Sequence, residues 1–400
     1  MTYIILSPQL GDMGGSQMYV CNKSIYMRAR GWNVKLVYFT ESELLIKRFE
    51  EFERHCVPEM AWGIQYYRPR RVKEIVRKLA ATLKSDDHEV VIESSLFHLS
   101  FWGELLAREL KAKHILHLLE EDVLHFSSRV ADFMEWKLER WEFMNASEKK
   151  LRLFFRSRYK PRYKDFEFTT DFFCSNVSQE EDCPDGEEVS FAQADETILS
   201  IGRLDKPYIQ EMVNQVLVYA DAHRDRCMNM VFIGASPDGS AEQKIEKAFA
   251  DHTNVRIYLL GYKYPVPASI VKQADVAIAT SNSVQVSYNQ GVPTISVDAN
   301  DHFAIGLYGV DTWQMVFRND ERQVPISDYL EKVLVRKEFP RQERVVNDKS
   351  ELEILDAHFR GQAEFIQRRA FDDQYYRIER LYSPIEILRG LAVRFIAGRR

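Results

Sequence analysis

Over residues 1–120 the apolar positions fall into short runs that alternate with helically spaced ones. Residues 3–6 form an apolar run of strand length, a glycine turn occupies 11–15, and Met18, Cys21, Ile25 and Ala29 then recur at helical spacing until Gly31. The same reading predicts strands at 34–39, 89–92 and 114–119, with helices at 71–83 and 99–110. Strand and helix alternating in this way predict a parallel sheet covered by helices. Beyond residue 126 the pattern changes to long charged and aromatic helices, and 176–195 is acidic, polar and turn-rich, as a linker is. Alternation then restarts, with strands at 197–201, 230–233, 255–260, 276–279 and 294–297 and helices at 210–222, 241–250 and 268–272.

These patterns divide the chain into a first Rossmann-like domain over 1–175, a linker over 176–195 and a second doubly wound domain over 196–365. A C-terminal part over 366–400 contains a crossover helix at 371–382 and a basic amphipathic tail from Ile385. The expected fold class is α/β, two Rossmann-like domains facing a cleft.

The composition is that of a globular protein, 45% hydrophobic and 28% charged, and 400 residues allow two separate cores. A net charge of -6 gives no overall attraction to nucleic acid. The five cysteines are scattered, with no C-x-x-C pair and no histidine at metal-ligand spacing, which fits a reducing compartment. The N-terminus reads as a first strand rather than a signal peptide, and no apolar run is long enough to span a membrane. A cytoplasmic protein, soluble or held at the inner membrane surface, is expected.

Four segments carry a more specific message: GDMGGSQ after the first strand, SIGRLDK opening the second domain, NVRIYLLGY followed by ADVAIATS, and NQGVPTISVD. In their order and spacing they resemble the retaining family 4 glycosyltransferases of the GT-B fold. Glycines 14 and 15 can adopt positive φ and bring the N–H groups at a helix start close to a diphosphate. The resemblance implies that Arg203 neutralises the leaving nucleoside diphosphate. The family's lysine follows further along, where this chain has Tyr208, so Lys206 is the expected substitute. Gly261 and Tyr262 fall where the family contacts the nucleobase. No cofactor is implied beyond the substrate, a nucleoside diphosphate sugar of the UDP or GDP type. No D-x-D motif stands near a strand end, so no divalent metal is expected.

The family's paired glutamates are absent, and Val286 stands where the second belongs. Ser281, Ser283, Gln285 and Ser287 are the remaining hydroxyl-binding candidates, without a carboxylate's charge-assisted bond. In the first domain the family's histidine finds no match in register, because His117 precedes the expected place. Glu120, with Glu121 and Asp122, and His98 are the cleft candidates for acceptor binding or catalysis, Glu120 and His98 being placed with Arg203 and Lys206 in the catalytic set. The acids read equally well as a helix start meeting its dipole.

Basic residues cluster at 149–164, interleaved with Phe154, Phe155, Tyr159 and Tyr163, and again at Arg68, Arg70, Arg71, Lys73, Arg77 and Lys78. With the tail at 385–400 they suggest contact with anionic lipid and a lipid-linked glycan acceptor, the alternatives being solvated helix faces and a tail that caps the first domain. The expected activity is therefore transfer of a hexose to a glycan in bacterial surface polysaccharide synthesis. A non-catalytic partner or glycan-binding subunit of the same fold is the alternative, followed by a nucleotide-sugar epimerase. A dinucleotide dehydrogenase is disfavoured, since the first turn lacks G-x-G-x-x-G and no acid ends the second strand.

Overall fold

The computed structural model describes residues 1–11, 14–85, 87–119, 128–168, 189–343, 349–367, 373–378 and 388. The chain forms two compact units, Met1–Phe173 with Leu352–Arg400, and Cys174–Glu351.

In the first unit the order is β1 (Thr2–Leu6), α1 (Gly15–Ala29), β2 (Asn33–Tyr38), β3 (Glu53–Cys56), α2 (Pro69–Leu83), β4 (Val90–Ser94), α3 (Phe97–Leu110), β5 (Lys113–His117), α4 (Ser128–Glu139), β6 (Phe143–Met144) and α5 (Glu148–Phe155). Six parallel strands lie in the order β3-β2-β1-β4-β5-β6, the doubly wound arrangement of a dinucleotide-type fold. Strands β3 and β6 escape a pattern-based reading. The first, Glu-Arg-His-Cys, is a partly exposed edge that needs no apolar run, and the second spans only two residues. Helix α2 starts at Pro69, whose fixed φ suits the first helical position, and its stripe of Val72, Ile75, Val76, Leu79 and Leu83 is buried.

The second unit runs β7 (Glu196–Ile201), α6 (Pro207–Ala222), β8 (Met228–Ile233), α7 (Ser240–Phe249), β9 (Val255–Leu259), α8 (Ala268–Val271), β10 (Val276–Ala279), α9 (Ser283–Tyr288), β11 (Thr294–Val297), β12 (Ala304–Leu307) and α10 (Ile326–Leu330). Its sheet order is β12-β11-β10-β7-β8-β9, parallel except for β12. Alternate residues feed two cores: Ile198, Met230, Phe232 and Ile278 pack under α6, α7 and α10, whereas Leu199, Ile201, Val231 and Ile233 pack with Ile270 and Val271. Both faces are covered, so the strands read as continuous apolar runs.

Three expectations about boundaries meet different facts. Helix α11 (Glu351–Gln367) clusters with the first unit, although the sequence places residues up to 365 in the second domain. The reason is its inner face: Phe359 packs on Tyr19 and Tyr26, Phe365 on Trp141 and Phe168, and Tyr26 Oη donates to Asp356 at 3.1 Å. In the segment expected as linker, 176–188 lie outside the described residues, but 189–195 are docked on the second unit, where Phe191 meets the Tyr258 ring and Asn229 donates to the Ala192 carbonyl at 2.8 Å. Of the helix expected at 371–382, the described residues 373–377 are not helical, because the Tyr376 N–H bonds the Glu104 carboxylate at 2.7 Å instead of a carbonyl one turn earlier. The tail at 385–400 lies outside the described residues except for exposed Leu388.

The aromatic residues of 149–164 are largely interior. Phe154, Phe155 and Tyr163 belong to the main core of the first unit. The cations around them pair with acids of the same unit: Arg152 and Lys164 with Glu148, Arg158 with Asp132, Lys160 and Arg162 with Glu135. Among the described residues no helix is long and apolar enough to cross a membrane.

Helix α11 is tied to the sheet by a buried polar cluster. Lys23 from α1 and Glu93 from β4, both fully buried, pair at 3.2 Å. Tyr3 Oη donates to Glu93, Tyr19 Oη lies 3.1 Å from Glu93 Oε1 and 2.9 Å from Gln362 Oε1, and Lys23 Nζ also donates to Gln362 Oε1. Burial alone would raise the Glu93 pKa, but Lys23, His117 and Tyr3 outweigh it and hold this carboxyl well below its usual range.

Candidate functional site

Open parallel sheets bind ligands beyond the carboxyl ends of their strands. In the second unit five loops leave that edge, from β7, β8, β9, β10 and β11, and three of them carry a glycine at positive φ within two residues of the strand end: Gly202, Gly234 and Gly261. These three backbones are in contact. A methyl group on Gly234 would sit 1.9 Å from the Gly202 carbonyl oxygen, and Gly234 N–H donates to the Gly261 carbonyl at 2.8 Å. Leu204 N–H and Tyr262 Oη both donate to the Ala235 carbonyl, at 3.2 and 3.0 Å. Gly234, which stands in none of the motif segments, is therefore the keystone of the edge. The recurrence of an apolar strand ending in glycine (SIG, FIG, LLG) is the sequence signal that could have found it.

The Gly234→Ala variant is expected to lose at least about 2 kcal/mol, since both its φ of 143° and the space beside Gly202 exclude a side chain. Chemical denaturation measures this; an unchanged midpoint would contradict the close approach.

The loop between β7 and α6 carries Arg203 and Lys206. Arg203 is held by a two-point ion pair with Asp205, Nε–Oδ1 3.0 Å and Nη2–Oδ2 2.9 Å. Lys206 is the N-cap residue of α6, exposed, and no described side chain pairs with it. Helix α6 has no side-chain cap and no acid in its first turn, which leaves the positive end of its dipole uncompensated. Tyr208 is buried beneath the loop, its hydroxyl 2.8 Å from where a Gly202 methyl would be. Burial and then Asp205 push its pKa up, so it is a neutral prop rather than a cation substitute.

The β10 loop places exposed Ser281 in the left-handed region at φ 58°, its N–H bonded to the Met315 carbonyl at 2.6 Å. Ser283 and Gln285 follow on α9, both half-buried. Ser287 corrects the expectation of a hydroxyl-binding residue. It is fully buried one turn down the helix, donates within α9 and accepts from Thr294 Oγ1 at 3.0 Å, so packing has taken its hydroxyl.

In the first unit Gly14 is the N-cap of α1 at φ -136° and Gly15 its first residue. Neither adopts the positive φ that the sequence suggested. What they provide is a helix start with no acid in its first turn and no side-chain cap. His98, in the first turn of α3, stacks obliquely on Phe39 at 5.5 Å, and its buried Nε2 has no hydrogen-bond partner. Burial lowers its pKa, so it is a neutral imidazole. Glu120, Glu121 and Asp122 lie outside the described residues. His117 is fully buried against Glu93, 3.5 Å from Oε1, and belongs to the polar cluster.

A Ser–His–Glu chain also appears: Ser94 Oγ to His114 Nε2 at 2.9 Å, His114 Nδ1 to Glu104 Oε2 at 2.8 Å. All three are buried, and Glu104 also meets Lys137 at 2.5 Å, so this is a core network inaccessible to substrate. Burial, then Lys137, lowers the His114 pKa from 6.5 to about 4. The unfolded chain thus binds a proton in this window that the folded one refuses, and stability falls as pH drops below 6.5, by about 2 kcal/mol at pH 5. Glu104 adds nothing there, because Lys137 and His114 override its burial and hold it at about 2. In His114→Gln the slope of unfolding free energy between pH 7 and 5 should flatten; an unchanged slope would move the effect elsewhere.

No protein-family model matches the chain, and no curated protein matches it in sequence. Solved structures do match in shape. Anabaena HepE, solved with UDP and glucose and again with UDP-glucose, is 13% identical, with 99% of this chain aligned to 100% of that one at TM-scores of 0.53 and 0.52. A glycosyltransferase from Rickettsia africae is 12% identical over 98% and 97% of the two chains, at a TM-score of 0.55. The fold is GT-B. Two Rossmann-like units whose sheets run mostly parallel account for the match.

Proposed function

We propose that this chain is a retaining, metal-independent glycosyltransferase that moves a hexose from a UDP- or GDP-type sugar onto a glycan acceptor, lipid-linked and destined for a bacterial surface polysaccharide. The observation that carries the reading is the loop Gly202–Lys206: two cations and an uncapped helix start, next to a backbone crossing that keeps side chains away. HepE, of the same fold, was solved with UDP-glucose. Arg203 and Lys206 would neutralise the leaving diphosphate, Gly261 and Tyr262 would border the base, and Ser281, Ser283 and Gln285 would meet sugar hydroxyls. In the first unit, the N–H groups that open α1 at Gly14 and Gly15 supply a second anion-compatible helix start, and neutral His98 is the acid-base candidate. The retaining course follows from the motif resemblance, in which the leaving phosphate takes the acceptor's proton, a step that needs no protein carboxylate at Val286.

That missing carboxylate favours one other reading, a non-catalytic member of the fold. Thermal-shift titration with UDP, GDP, CDP and dTDP, followed by a donor-hydrolysis assay with and without EDTA, separates the two. A shift with one nucleotide and hydrolysis that survives EDTA supports the enzyme; a shift without turnover supports the binding subunit; no shift with any nucleotide removes both donor-site readings.

A further inference from the structure

A cavity of about 280 Å³ lies on the first unit between α2, α3, the turn at Ile64–Tyr66 and Ile378, and shares no residue with the site above. Its lining is apolar inside and cationic outside. Ile64, Val72, Val76, Leu105 and Ile378 are buried, while Lys73, Arg77 and Arg108 stand at its wall with one acid, Glu109, 3.8 Å from the Arg77 guanidinium. Three cations to one carboxylate leave the wall positive. Lys73 and Arg77 are exposed on successive turns of α2, and no described carboxylate pairs with Lys73. A further lining residue, Gln65, has a buried Oε1 that accepts no hydrogen bond, an acceptor left unmet at the cavity.

An apolar interior, a positive wall and an unmet acceptor together specify an occupant with an apolar chain, an anionic group and a hydroxyl. We propose that this cavity is a lipid site that takes the chain of an anionic, hydroxyl-bearing phospholipid of the phosphatidylglycerol class. The apolar chain fills the space between α2 and α3, the phosphate meets Lys73 and Arg77, and a glycerol hydroxyl donates to Gln65. The site holds the first unit at an anionic membrane surface. It does not depend on the donor reading, since no nucleotide enters the argument.

The test uses the full chain and monomeric myristoyl lysophosphatidylglycerol below its micelle concentration, titrated by calorimetry, with the phosphocholine analogue as zwitterionic control. The anionic lipid should bind roughly tenfold or more tightly than the control. The pair Lys73→Glu with Arg77→Glu, on exposed positions, should weaken it by roughly tenfold or more. Ile64→Trp should fill the cavity and abolish binding. The pair Arg68→Glu with Arg70→Glu, on the same basic stretch but outside the lining, should leave monomer binding unchanged. Each variant is checked for the parent melting temperature, and if Ile64→Trp does not fold the two charge-reversed pairs still decide. Equal binding of both lipids, no binding, or equal loss in the two pairs, which is what a diffuse basic face produces, overturns the proposal. Flotation with phosphatidylglycerol vesicles should follow the same order of variants.

Discussion

Arg203→Ala should lower kcat/KM for the nucleotide sugar by about 10²–10³-fold and remove the thermal shift produced by the matching nucleoside diphosphate. The guanidinium already sits in a two-point geometry, on Asp205, that a diphosphate can take over oxygen for oxygen. Arg203→Lys should recover only part of the loss, because an ammonium cannot make two parallel bonds from a planar fork. Asp205→Asn, which removes the competing charge, should tighten nucleotide binding instead. The checks are steady-state kinetics with the donor that stabilises the protein and calorimetric titration of its diphosphate. If Arg203→Ala bound the diphosphate as tightly as the parent, the donor site would have to be sought away from the β7 loop.

The second large effect is on stability. Glu93→Leu leaves the Lys23 ammonium buried without its counter-charge, and Lys23→Met does the same to the carboxylate; each should cost about 3–5 kcal/mol. For a unit of this size that is a fall in melting temperature of roughly 10 °C. The double variant should regain most of the loss, since replacing a buried pair by apolar groups removes the desolvation penalty together with the attraction. Denaturation followed by tryptophan fluorescence reads all three proteins. A double variant that loses the sum of the single effects would mean the two residues act independently, contrary to their 3.2 Å pairing. Because Gln362 of α11 bonds Lys23 and stands beside Tyr19, the single variants should also loosen α11, seen as faster amide exchange over 351–367.

The alternation of apolar runs with helical spacing was enough to give two doubly wound sheets, since a strand covered on both faces must be apolar throughout and a covering helix must carry a stripe. The loop Gly202–Lys206 was legible for the same local reason: a glycine, two cations and a proline sit directly after such a strand. Edge strands β3 and β6 were not legible, because half-exposed or two-residue strands need no pattern. Tertiary contacts alone decided the rest. Ser281 and Ser287 look alike in sequence, yet Ser281 stands exposed in the β10 loop whereas Ser287 is on the inner face of α9. Gly234 matters through the Gly202 carbonyl, more than thirty residues earlier. The aromatic residues of 149–164 read as a surface, yet Phe154 and Phe155 on α5 and Tyr163 in the turn after it all pack into the core. Helix α11 follows the second unit along the chain but packs on the first, because its partners Lys23, Tyr19 and Tyr26 lie over three hundred residues away, and no local pattern records a contact across that separation.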